Sequence, residues 1–149
     1  MIRVSKVTKH FDEVQALAEV NLDIATGEFI SIVGPSGCGK STLLRIIADL
    51  VSTDGTVKKP NKGAFVFQDS ALLPWRTVQG NVELLMELEG TENKRAKASV
   101  ALRQVGLNGF ERSYPHQLSG GMKMRLSLAR SLVLDPVSYT HLTLPTNGC

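Results

Sequence analysis

Cysteine is scarce in this chain of 149 residues, with only Cys38 and Cys149 present. Two thiols so far apart do not make a disulfide framework, and they suit a reducing cytosol. Aromatic residues are thin at 5%, and neither an arginine–aromatic alternation nor a dense basic run occurs. With a net charge of only +3, the expectation is that nucleic acid is not the partner. No stretch approaches the roughly 18 apolar residues of a membrane-spanning helix. The N-terminus begins on strand-like sequence without the apolar core of a secretion leader. The chain is therefore expected neither to cross a membrane nor to be secreted. Internal repeats and low-complexity segments are lacking, and no aspartate or glutamate follows Asp135.

What is present is ordinary in bulk: 42% hydrophobic and 21% charged residues, as in a globular domain. A single domain of this length buries roughly two-thirds of its unfolded surface. The chain is organised around Gly34-Pro35-Ser36-Gly37-Cys38-Gly39-Lys40-Ser41-Thr42, a glycine followed after four residues by Gly-Lys-Ser/Thr. Phe29-Ile30-Ser31-Ile32-Val33 precedes it and reads as a buried parallel strand. Leu43, Ile46, Ile47 and Leu50 follow on one helical face. Strand, glycine loop and helix form the context in which this pattern holds phosphate. Gly34, Gly37 and Gly39 let the backbone turn tightly beside an anion. The first amides of the helix point at that anion, and the dipole favours it. Lys40 brings a point charge to the β- and γ-phosphates, and the Ser41 hydroxyl is suited to Mg²⁺.

Taken in order, Ile2 to Val7 and Asn21 to Ile24 alternate as half-buried strands do. Phe11, alone after the first strand, reads on these grounds as a core residue rather than a stacking platform. Thr53-Asp54-Gly55 predicts a turn into a short edge strand with Val57. Ala64 to Phe67 reads as a second buried strand, ending in the polar pair Gln68-Asp69 at the end where open α/β sheets bind ligands. From Thr77 the period becomes helical: Val82, Leu85 and Met86 share a face, as do Ala98, Ala101, Leu102 and Val105 ahead of Gly106. A helical insert is expected at about 75 to 110. Trp75, the only tryptophan, falls in a loop, either as an apolar anchor or as a partner contact. Leu118-Ser119-Gly120-Gly121-Met122 then opens a helix with Met122, Leu126, Ala129 and Val133 on one face. Ser119 is a good N-cap, and the glycines leave the helix start open as a second anion site.

These motifs, from residue 1 to about 136, resemble the nucleotide-binding subunit of ATP-binding cassette (ABC) transporters. The resemblance implies an α/β P-loop NTPase fold with an N-terminal antiparallel β portion and a helical subdomain at about 75 to 130. It implies that Phe11 stacks on adenine, which reverses the core reading above. The Gly34 to Thr42 loop is the counterpart of the Walker A motif. Gln68 is similar to the Q-loop glutamine, which touches Mg²⁺ and the attacking water. Leu118 to Met122 resembles the signature motif, with Met122 where glutamine is usual. Ser119, Gly120 and Gly121 would then cap the nucleotide of a second subunit in a head-to-tail dimer. Lys40 and Gln68 are the implied catalytic residues, and Ser41 and Gln68 the implied Mg²⁺ ligands. ATP is the implied nucleotide. The implied partners are a second ATP-binding subunit, a membrane permease and, indirectly, a periplasmic binding protein; the implied location is the cytoplasmic face of the membrane. Ala71-Leu72-Leu73-Pro74-Trp75, with the Met122-Lys123 ending of the signature, is similar to the importer branch for nitrate, sulfonate, taurine and bicarbonate.

The departure begins after Asp135-Pro136, where the family continues into an apolar strand ending in Asp-Glu. Here Val137 to Cys149 carries no carboxylate side chain. The Mg²⁺-ordering aspartate, the general-base glutamate and the switch histidine of the family are thus absent, and His141 lies in the wrong context for the last. The central sheet is expected to be incomplete, residues 137–149 to be a tail foreign to the family, and the chain to bind nucleotide without turning it over. Two rivals differ in class. Cassette ATPases of DNA repair or chromosome organisation separate the same motifs by coiled coils, but residues 43–117 hold no sustained heptads. A small P-loop nucleotide kinase would lack the signature helix and the Q-loop.

Overall fold

A computed structural model describes residues 1–67, 69–134 and the backbone of 138–141. Gln68, the Asp135-Pro136 pair and Cys149 lie outside the described residues. The chain divides into two units, Met1–Gly63 and Ala64–Cys149.

The first unit is built on a long hairpin. Strand β1 (Ile2–Phe11) pairs antiparallel with β2 (Val14–Ile24), and β3 (Thr56–Lys58) adds antiparallel to the other edge of β1. The sheet order is β2-β1-β3, so the short edge strand expected after the Thr53 turn is present. Both hairpin strands run further than the alternation suggests, because a bulge breaks the period. Val4 and Val7 are both buried although three residues apart. Lys6 between them adopts φ 50°, and the register shifts there. The extra residue turns Val7 back to the face of Val4, and the Lys6 N–H donates to Asn21 Oδ1 at 2.8 Å. Onto that face packs helix α1 (Lys40–Ile47) through Leu43, Ile46 and Ile47, closing a core with Val4, Val7 and Leu17. Leu50 lies beyond the end of α1 and is exposed, so the expected apolar face loses its last member.

One expectation fails outright. Phe29 to Val33 does not form a buried strand: no strand is assigned there, and Phe29 and Val33 are 91% and 90% exposed. A parallel strand exists only through its neighbours. Among the described residues no segment pairs with 29–33, so apolar β-branched sequence alone does not order it.

In the second unit, β4 (Gly63–Val66) pairs with β5 (Ser138–His141) in a two-stranded sheet. Three helices follow β4: α2 (Val78–Leu88), α3 (Lys94–Gln104) and α4 (Gly120–Leu132). They pack on one another around Val82, Met86, Ala98, Leu102, Leu107 and Leu126, the faces expected from the periodicity. Boundaries follow local chemistry. The Thr77 hydroxyl caps α2 by accepting from Gly80 N–H at 3.1 Å, and Gly106 ends the α3 region at φ 70°.

Candidate functional site

Gly34 to Thr42 forms a turn over 36–39 that runs directly into α1. Gly39 shows why glycine is needed. Its φ is 92°, and an added Cβ would lie 2.6 Å from the Ala16 carbonyl oxygen and 2.9 Å from Leu17 Cδ1. The loop is thus pressed against β2 at a point where any other residue would both strain and clash. Gly39 is also the N-cap and offers no side chain to the helix start. The Leu43 N–H is taken by the Gly39 carbonyl at 2.9 Å. The amides of Lys40, Ser41 and Thr42 have no carbonyl one turn behind them, so this end of α1 fits an anion.

Lys40 lies back across the loop. Its ammonium donates to the Gly34 carbonyl at 2.7 Å and the Pro35 carbonyl at 2.5 Å, and stands 3.4 Å from Cys38 Sγ. These partners hold the cation over the concave side of the turn. A phosphate oxygen, carrying full charge, is a stronger acceptor than either carbonyl. Cys38 itself is exposed.

Phe11 ends β1 and is half exposed, at 49%. Lys9 pairs with Leu17 in the β1–β2 ladder, and Leu17 is the residue in contact range of Gly39. Phe11 is therefore two residues, roughly 7 Å along the strand, from the β1 position that pairs with the phosphate loop's support. Lys9 Nζ sits 5.3 Å from the ring centroid, a cation–π contact that the sequence reading missed. The sheet thus brings Phe11 and the loop into one neighbourhood.

Ser119, Gly120 and Gly121 belong to the second unit. The Ser119 hydroxyl oxygen accepts from Met122 N–H at 3.2 Å, which fixes the start of α4 and leaves the hydroxyl proton free to be donated. An added Cβ at Gly120 or Gly121 would meet nothing within 4 Å, so both face open space and all three residues are exposed. Trp75 is 72% exposed, which removes the reading of it as an apolar anchor.

Two further residues shape the segment around Trp75. Asn81 is fully buried on α2. Its amide donates to the carbonyls of Leu73, Arg76 and Thr77 at 3.1, 3.1 and 3.0 Å. Arg130 on α4 donates to the carbonyls of Ala71 at 2.9 Å and Ser70 at 3.0 Å. Burial pushes its guanidinium below the usual arginine value. Residue type gives no signal for either, because both act on backbone carbonyls. A separate open depression of about 690 Å³ is lined by Gln79, Arg95, Ser99 and Arg112 among others. None of the phosphate-motif residues lines it.

A glycine loop seated on a hairpin and feeding a helix start, with a lysine over the turn, defines a P-loop nucleotide-binding fold. The chain belongs to the ABC transporter family, whose family model matches residues 17–139. It is 47% identical to an aliphatic sulfonates import ATP-binding protein, SsuB 2, of Mesorhizobium japonicum, over 91% of this chain and 55% of that protein. It is 41% identical to a taurine import ATP-binding protein, TauB, of Yersinia pestis, over 91% of this chain and 58% of that one. The solved dimer of the ATP-binding cassette MJ0796 in a post-hydrolysis state, bound to ADP and Pi, superposes with a TM-score of 0.84 at 36% identity. That match covers 95% of this chain and 73% of the other. The chain spans little more than half the length of the curated relatives it matches.

Proposed function

We propose that this chain is the nucleotide-binding part of an ATPase subunit that powers an ABC importer for nitrate, a sulfonate, taurine or a related small solute. The observation that carries the reading is Gly39, left-handed and too close to Ala16 for any Cβ; a glycine-only turn feeding a helix start supports the reading of this loop as a phosphate cradle. ATP would lie with its phosphates on Gly34 to Thr42, Lys40 facing the β- and γ-phosphates, and adenine on Phe11. Ser41 and Gln68 would hold Mg²⁺, which neutralises charge between the β- and γ-phosphates. Ser119, Gly120 and Gly121 would approach the phosphates of a second subunit, so that nucleotide joins two copies head to tail. The permease and a solute-binding protein would be the further partners, and the cytoplasmic face of the membrane the place of action. The sulfonate and taurine import proteins it resembles support the solute class, and the dimeric solved cassette supports the dimer.

Residues 1–136 form the cassette portion in this reading, and 137–149 the foreign tail. Positioning and charge neutralisation dominate phosphoryl transfer, and a carboxylate must still order the metal and another the water. No acidic side chain follows Asp135, so the 149-residue chain should bind ATP with little or no hydrolysis. The exposed Phe29 and Val33 add a tendency to associate through apolar surface. Replacing 137–149 with the corresponding C-terminal portion of a taurine-import relative should yield an ATP-dependent dimer that hydrolyses. Turnover by the unaltered chain above about 1 per second, abolished in Lys40→Ala, would contradict the missing-carboxylate account.

A further inference from the structure

Arg130 sits in the last turn of α4, the helix that begins at the exposed Ser119, Gly120 and Gly121. Its guanidinium is half-buried, and the groups it satisfies are two successive backbone carbonyls, Ser70 and Ala71, at 3.0 and 2.9 Å. A planar fork with fixed donor directions suits two neighbouring acceptors, whereas an ammonium is a single point donor. Ala71 is a non-glycine residue at φ 41°, a conformation that persists only where the surroundings impose it. The Arg130 fork is one such constraint. Ser70 and Ala71 follow Gln68 by two and three residues and precede Trp75. Downstream, buried Asn81 holds Leu73, Arg76 and Thr77, so the segment from 70 to 77 is braced at both ends while its tryptophan faces outward.

We propose that Arg130 is a positioning residue that fastens the segment following Gln68 to the signature helix. A load on the Ser119 end of α4 is then passed to the Trp75 loop as one rigid displacement. This rests on the reading of Ser119 to Gly121 as phosphate contacts. A helix of 13 residues is roughly 20 Å long, so α4 is a lever with the phosphate contact at one end and the Arg130 fork at the other.

The test uses the full chain as wild type, Arg130→Ala, Arg130→Lys and Arg125→Ala. Arg125 is the matched control: it lies on the same helix and donates to the Val105 carbonyl at 3.1 Å, away from the braced segment. Hydrogen exchange without nucleotide should rise roughly tenfold or more at the hydrogen-bonded amides of 69–77, Leu73 and Arg76, in Arg130→Ala, with 94–104 within about twofold of wild type. Arg125→Ala should leave 69–77 at the wild-type rate, and Arg130→Lys should fall between wild type and alanine. Trp75 reports the second half of the claim, read in the same four proteins carrying the C-terminal replacement that yields the ATP-dependent dimer, because Ser119 to Gly121 meet the nucleotide of the second copy. Its acrylamide quenching should change on adding MgATP in wild type and Arg125→Ala. It should not change in Arg130→Ala, although a fluorescent ATP analogue still binds.

Unchanged exchange at 69–77 in Arg130→Ala, or an equal rise in both alanine variants, would overturn the fastening. Full rescue by lysine would show that charge, rather than the fork, is what matters. A Trp75 response that survives in Arg130→Ala, or is missing in wild type, would overturn the transmission. Loss of nucleotide binding in all four proteins would instead overturn the proposed function, and the nucleotide-free exchange would still decide the fastening.

Discussion

The buried side chain of Asn81 and the backbone of Leu73 exchange two hydrogen bonds. Leu73 N–H donates to Oδ1 at 2.8 Å, and Nδ2 donates back to the Leu73 carbonyl at 3.1 Å. The same Nδ2 also serves Arg76 and Thr77, so one side chain replaces the secondary structure that the loop lacks. Asn81→Leu keeps the branched shape and strands the Leu73 N–H and the Arg76 carbonyl, whereas the Leu73 and Thr77 carbonyls keep the backbone N–H groups of Arg76 and residue 81. It should cost about 2–4 kcal/mol, read as a lower urea midpoint for the helical unit. A loss below about 0.5 kcal/mol, the scale of ordinary surface changes, would mean that water replaces the amide without cost.

The Arg76–Glu87 pair gives a pH signature in the same region. A hydrogen bond from Arg76 at 2.8 Å, aided by the charges of Arg76 and Lys94, holds the Glu87 carboxyl below its ordinary range. A depressed folded-state value stabilises the protein above the unfolded-state value and loses that contribution as pH falls through the folded one. Glu87 is solvent-exposed, so screening keeps the contribution small. Carboxyl-carbon NMR should show Glu87 titrating below the ordinary glutamate value, and Arg76→Ala should move it up towards that value. A titration unmoved by Arg76→Ala would remove the pair as the cause.

Cys38 provides a chemical reading of the loop. It is exposed, and its sulfur lies 3.4 Å from the Lys40 ammonium, within the turn proposed to hold phosphate. Alkylation of Cys38 by a small thiol reagent should be slowed several-fold by saturating MgATP, since bound phosphate covers the turn. Cys149 should react at the same rate with and without nucleotide. Peptide mass spectrometry separates the two thiols, and a Cys38 rate indifferent to MgATP would contradict the loop geometry.

How much the sequence disclosed varies with the range of the forces involved. The three helices, the Ser119 cap and the Gly106 stop were legible because they depend on residues within a turn or two. Gly39 was legible as a motif, although its cause, the Ala16 carbonyl 2.6 Å from the missing Cβ, lies 23 positions back in the chain. The segment from Phe29 to Val33 was misread because strand formation is settled by a neighbour rather than by the apolar run itself. Asn81 and Arg130 escaped notice for a similar reason. Each acts on backbone carbonyls, which leave no trace in residue type. Arg130 reaches across about 60 residues to do so. The bulge at Lys6 likewise hides a buried Val7 from any period-two search.

Nucleotide binding by the Gly34 to Thr42 loop is the claim on which the rest depends, and titration of the intact chain with a fluorescent ATP analogue tests it most directly. Wild type should bind in the presence of Mg²⁺. Lys40→Ala, which removes the cation held over the turn at 2.7 Å from Gly34, should bind at least about tenfold more weakly, as expected for losing a charge-assisted contact. Equal affinity in the two proteins would contradict the assignment of this loop as the phosphate site.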